Sequence, residues 1–123
     1  MKKLFLILCC TPLLLATTCE NDDFIYCTLE AKAGLNVTVI NSQTNIPIVE
    51  DVSITAQDGS YQETLEYFPG GEFVFFGAYE RIGTYIITVI KPGFQTFTSQ
   101  TITVTKDECH VIPEQLTVNL VPN

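Results

Sequence analysis

The stretch Gly83-Thr-Tyr-Ile-Ile-Thr-Val-Ile-Lys-Pro-Gly-Phe94 constrains the fold of this chain more than any other. Residues 85–90 are β-branched or aromatic, and Lys91-Pro92-Gly93 ends the run with turn residues. Side chains of a strand alternate between its faces, so Tyr85, Ile87 and Val89 share one face and Ile86, Thr88 and Ile90 the other. Thr88 alone is polar, which predicts a central strand buried on both faces.

The remaining apolar segments are also strand-sized. Residues 35–41 place Leu35, Val37 and Val39 inward and Asn36 and Thr38 toward solvent. Residues 52–57 alternate, and Asp58-Gly59 turns the chain into residues 61–68. After Pro69-Gly70-Gly71, residues 72–76 read as a strand apolar on both faces. Residues 94–98 form a short edge piece. Residues 101–105 point Ile102 and Val104 inward, and residues 116–120 do the same with Leu116, Val118 and Leu120. Residues 28–34 are irregular, with a helical stub over 29–33 as the one candidate helix of the mature part. This pattern predicts an all-β antiparallel sandwich of about seven strands.

The order Gly34-Leu-Asn-Val-Thr-Val, Thr44-Asn-Ile-Pro-Ile, Val52-Ser-Ile-Thr, Gly83-Thr-Tyr-Ile-Ile-Thr-Val and Pro92-Gly93-Phe94 resembles the carboxypeptidase regulatory-like domain. The resemblance covers residues 34–121 of a domain taken as 34–123. It implies a transthyretin-like, Ig-like sandwich used as an accessory or binding module on envelope and secreted proteins.

The start of the chain reads as an address. Met1-Lys2-Lys3 precedes an apolar run over residues 4–16, too short to span a bilayer comfortably and followed by acids, which predicts a secretory signal peptide over 1–18. Leu15-Ala-Thr-Thr-Cys19 resembles a bacterial lipobox, with Thr18 where Gly or Ala is usual. Cys19 is the expected lipidation site, and residues 19–33 form an acidic tether and N-terminal segment. The expected location is the cell envelope, anchored by acyl chains to the outer membrane, with the domain on its outer surface or its inner side as alternatives. An ordinary signal peptide with an incidental cysteine is the alternative.

The formal charge is −8, and loss of Lys2 and Lys3 with the leader makes it −10, a balance that disfavours nucleic acid as a partner. His110 is the only histidine, and no Cys/His spacing suits zinc. No catalytic set, metal site or cofactor is therefore expected, and His110 reads as a hydrogen-bonded or solvated loop residue.

Cleavage removes Cys9 and Cys10 and lipidation consumes Cys19, leaving Cys27 and Cys109 to pair as a disulfide in an oxidising compartment, with two free thiols as the alternative. Seven aromatics crowd residues 61–79. The phenylalanines Phe68, Phe73, Phe75 and Phe76 are expected in the core, while Tyr61, Tyr67 and Tyr79 are candidate ligand-binding residues. Two functional expectations follow. The first is a non-enzymatic structural or accessory lipoprotein module docking on a larger envelope complex. The second is a module that binds carbohydrate or peptide through exposed tyrosines and loops. A row of exposed aromatics beside a groove favours the second, and a closed sandwich with the aromatics inside favours the first.

Overall fold

The computed structural model describes residues 25–123; the leader, Cys19 and the first residues of the tether lie outside the described residues. Among the described residues nine strands are formed: β1 (Ala33–Asn41), β2 (Ser53–Asp58), β3 (Tyr61–Thr64), β4 (Glu66–Tyr67), β5 (Phe75–Tyr79), β6 (Gly83–Ile90), β7 (Phe97–Thr98), β8 (Ile102–Val104) and β9 (Glu114–Leu120). They build two layered sheets, one of four strands in the order β4-β5-β1-β9 and one of five in the order β3-β2-β6-β7, with β8 also on β6. This is the all-β sandwich that the alternation predicts. The helical stub expected over 29–33 is absent, and Ala33 already belongs to β1.

Strand β6 is central to the five-stranded sheet, but only one of its faces is covered. Tyr85, Ile87 and Val89 are fully buried, whereas Ile86 and Ile90 are 42% and 51% exposed. The expectation of two buried faces fails because a two-layer sandwich covers each sheet on its inner side only. The core therefore lies between the sheets, where Leu35, Val37, Ile54, Tyr85, Val104 and Val118 meet. Beyond β6, Phe94 N donates to Lys91 O at 3.1 Å, and Gly93 has φ of 85°. Pro92 and Gly93 thus occupy the two central positions of a type II turn, the second of which requires a positive φ.

One pairing departs from the antiparallel expectation. β1 and β9 run parallel, from Leu35 opposite Glu114 to Asn41 opposite Leu120. The other ladders are antiparallel. The first and last strands of the sandwich become neighbours in this way, with the rest of the chain as their crossover.

The predicted strand over 61–68 is split at Leu65. Thr64 still pairs with Thr55 of β2, Leu65 N donates to Ile54 O at 2.9 Å, and Glu66 already pairs with Phe76 of the other sheet. Leu65 is buried, so its side chain enters the core at the point where the chain crosses between layers. The strand expected over 72–76 is also displaced, since β5 begins at Phe75 and runs on to Tyr79. Ala78 and Glu80 both adopt positive φ, 53° and 50°. These kinks turn the chain out of the four-stranded sheet and into β6.

Candidate functional site: an aromatic groove beside a disulfide clasp

Phe75 faces the core, so its neighbour Phe76 must face outward. On that outer side of the four-stranded sheet, Phe76 and Phe68 pack with ring centroids 6.2 Å apart, and Phe68 is 51% exposed. Tyr79 joins them, 44% exposed. The expectation that the phenylalanines form the core thus holds for Phe75 and fails for Phe68, Phe73 and Phe76. The reason is parity: on a two-layer sheet one side of β5 can reach the core, and Phe68 and Phe73 lie in the connection that precedes it.

Two adjoining recesses share Phe76 and Tyr79 as a common wall. The larger, about 330 Å³, is completed by Glu30, Ala31, Lys32, Ala33, Asn36, Phe68 and Pro113. The smaller, about 270 Å³, is completed by Glu63, Thr64, Glu66 and Gly77. Gly77 is required at this wall, because a Cβ there would run into the Glu63 carboxylate and the Leu65 side chain. That carboxylate accepts from the Tyr61 hydroxyl and from Ala78 N, holding the edge of one sheet to the kinked end of β5 on the other.

The three candidate tyrosines are not brought together. Tyr79 lines both recesses. Tyr67 is half-buried and packs on Phe75, its ring centroid 5.5 Å away. Tyr61 lies under the Arg81 guanidinium, 3.6 Å from the ring centroid, and hydrogen-bonds Glu63. Arg81 also donates to Asp58 at 3.1 Å and to the Tyr85 hydroxyl at 2.9 Å, and that hydroxyl donates to Arg81 O at 2.9 Å. Tyr61 and Tyr67 therefore serve packing, and the aromatic partners of Tyr79 are Phe68 and Phe76. Alternation about Phe75 is the sequence signal that identifies Phe76.

Asn36 is another residue that alternation misplaces. It points away from the core layer, yet it is 8% exposed because β1 is flanked by β5 and β9. Its Nδ2 donates to Ala33 O at 3.1 Å and Glu114 O at 3.2 Å.

The wall formed by residues 30–33 is tied down from both sides. Cys27 and Cys109 form a disulfide, with Cα atoms 5.2 Å apart. Glu80 accepts from Lys32 N at 2.9 Å and Val111 N at 3.1 Å, and contacts His110 Nδ1 at 2.6 Å. The Lys32 amide, burial and then the His110 contact act on the Glu80 carboxyl, with a net pKa below the usual carboxylate value. Asp107 is depressed in the same direction by the His110 and Cys109 amides, which donate to Oδ1 at 2.9 and 2.8 Å.

His110 Nε2 lies 2.9 Å from Thr28 Oγ1, so Thr28, His110 and Glu80 stand in the order of nucleophile, base and orienting carboxylate. Acyl transfer would also need donors for an oxyanion and a pocket for substrate. The nearby Lys32 and Val111 amides are both committed to Glu80, and neither Thr28 nor His110 lines either recess. The trio is a clasp for the N-terminal segment. Among the described residues, no group of three or more His, Cys, Asp or Glu is arranged to hold a metal.

No protein-family model matches the chain, and no curated protein matches it in sequence.

Proposed function

We propose that this chain is a non-enzymatic, lipid-anchored module of a bacterial cell envelope that binds carbohydrate or peptide in the groove of Phe68, Phe76 and Tyr79. The lipobox-like segment ending at Cys19 and the preceding apolar run support the address, as does a disulfide, a bond suited to an oxidising compartment. The motifs resembling a carboxypeptidase regulatory-like domain fit the two-sheet architecture and the accessory role of such modules.

One observation carries the choice of a binding role. The aromatic side chains that could have closed the core are instead held open on the outer sheet face, beside recesses of about 330 and 270 Å³. Aromatic faces of this kind suit sugar rings and protein partners, and their half-exposed position lets the ligand supply the missing burial.

The test is a titration of labelled protein with a panel of oligosaccharides and peptides, followed by amide chemical-shift mapping. Shifts concentrated on 30–36, 63–68 and 76–79 are expected; shifts confined to the five-stranded sheet would refute the groove. Mass spectrometry of membrane-extracted protein tests the address and should find an acylated Cys19 as the first residue.

The accessory-module reading has its own support in β9. This seven-residue strand ends the four-stranded sheet with no partner on its outer side among the described residues, and Glu114 is its only charged residue. Such an edge accepts strand addition from a partner. A photo-crosslinker at Thr117 should capture that partner in intact envelopes; a crosslinker on β6 that captures it equally well would refute edge pairing.

A further inference from the structure

The groove contains an acceptor that the protein leaves without a donor. Asn36 is the one buried polar side chain among the described residues. Its nitrogen is identified by the two backbone carbonyls it meets, Ala33 O and Glu114 O. The amide oxygen is thereby turned to the other end of the group, accepts no hydrogen bond from the described residues, and belongs to a residue lining the larger recess. Buried acceptors are nearly always satisfied by protein or water, so this oxygen is open to a donor from solvent or from a ligand.

The smaller recess specifies charge. Glu63 and Glu66 line it together with Phe76 and Tyr79, and no Lys or Arg does. The Glu66 carboxylate forms neither a hydrogen bond nor an ion pair among the described residues, and the Glu63 carboxylate is held by the neutral donors Tyr61 and Ala78. Lys32, in the larger recess, is already paired with Glu30 at 2.7 Å. The Tyr79 hydroxyl has its pKa pushed up, first by burial and then by Glu66 and Glu63, so both negative charges are felt at the shared aromatic wall.

A neutral sugar would stack on these rings but leave the two carboxylates uncompensated. An anionic ligand would be repelled by them and by the chain's charge of −8. A cation gains from both features, because aromatic faces attract ammonium and guanidinium groups and the carboxylates pair with them. Resting on the reading of this groove as a binding surface, we infer that its ligand is a peptide carrying a lysine or arginine side chain. The charged head lies between Glu63 and Glu66, the alkyl stem runs along Phe76 and Tyr79, and an N–H of the peptide donates to Asn36 Oδ1.

The test uses the full exported chain and three short peptides, identical except for a central arginine, lysine or citrulline, with a neutral cello-oligosaccharide as comparison. Calorimetry and amide chemical-shift mapping are run at low and moderate salt. The arginine and lysine peptides should shift groove amides and bind about tenfold or more tightly than citrulline, weakening as salt rises. Asn36→Ala removes the two side-chain hydrogen bonds to the Ala33 and Glu114 carbonyls and can unfold the strand, so Glu66→Gln and Tyr79→Ala, at exposed positions, carry the mutational arm. Glu66→Gln should weaken the arginine peptide several-fold and leave the citrulline peptide unaffected, whereas Tyr79→Ala should weaken both, because both stems run along that ring. Equal binding of arginine and citrulline overturns the inference. Groove shifts with the oligosaccharide alone also overturn it, while leaving the binding-module reading intact. Groove amides unmoved by every ligand would remove both.

Discussion

Tyr85 permits a worked test of how the sandwich is held together. Its ring is fully buried on the inner face of β6, and its hydroxyl both accepts from the Arg81 guanidinium and donates to Arg81 O, each at 2.9 Å. Tyr85→Phe keeps the ring and deletes both hydrogen bonds. Arg81 retains Asp58 and the Tyr61 ring, so its charge stays partnered, while its carbonyl loses a donor near the protein surface. That change should cost about 1–2 kcal/mol. Tyr85→Ala deletes the ring as well and opens a cavity in the core, for a total of about 3–5 kcal/mol. The difference between the variants, roughly 2–3 kcal/mol, isolates the ring. Urea unfolding followed by circular dichroism measures all three proteins, the chain having no tryptophan for fluorescence. The strand signal at zero urea shows whether Tyr85→Ala still folds. Two variants of equal stability would mean that the hydroxyl network alone matters, and a Tyr85→Ala loss below about 1 kcal/mol would remove β6 from the centre of the core.

Three shorter predictions concern the clasp and the turn. The disulfide spans 82 residues, and on chain entropy its removal in a Cys27→Ser/Cys109→Ser protein should cost about 4.5 kcal/mol; a loss under 1 kcal/mol would show that Glu80 alone secures the N-terminal segment. Glu80 and Asp107 have folded pKa values below their ordinary 4.5 and 3.8, so the stability they contribute is present above those values and is lost as pH falls through the lower folded ones. The urea midpoint should therefore drop below about pH 4.5, and Glu80→Gln should flatten that slope; an unchanged slope would count against the clasp. Gly93→Ala places a side chain at φ 85°, where space is open but the backbone is strained, and should cost about 1–2 kcal/mol by urea melt, whereas Gly71→Ala should be nearly neutral.

Strands were legible from sequence wherever alternation was strict, because the pleat's period of two needs no knowledge of the partner. Ser53–Asp58, Ile102–Val104 and Glu114–Leu120 lie where the pattern places them, and Pro92-Gly93 marks its turn because the backbone there demands those residues. The pairing of Cys27 with Cys109 followed from counting thiols in a chain expected to be exported, and the two cysteines do form the bridge. The groove was not legible. Which of Phe75 and Phe76 enters the core depends on the register of β5 against β1, a contact between segments about forty residues apart. The acidity of Glu80 and the burial of Asn36 likewise come from partners brought in by the crossing at Leu65 and by the parallel return of β9. Local chemistry thus determined where the chain extends and turns. Only the stacking of two sheets decided which aromatics it hides and which it leaves on the outer face, because burial belongs to the pair of surfaces rather than to either strand.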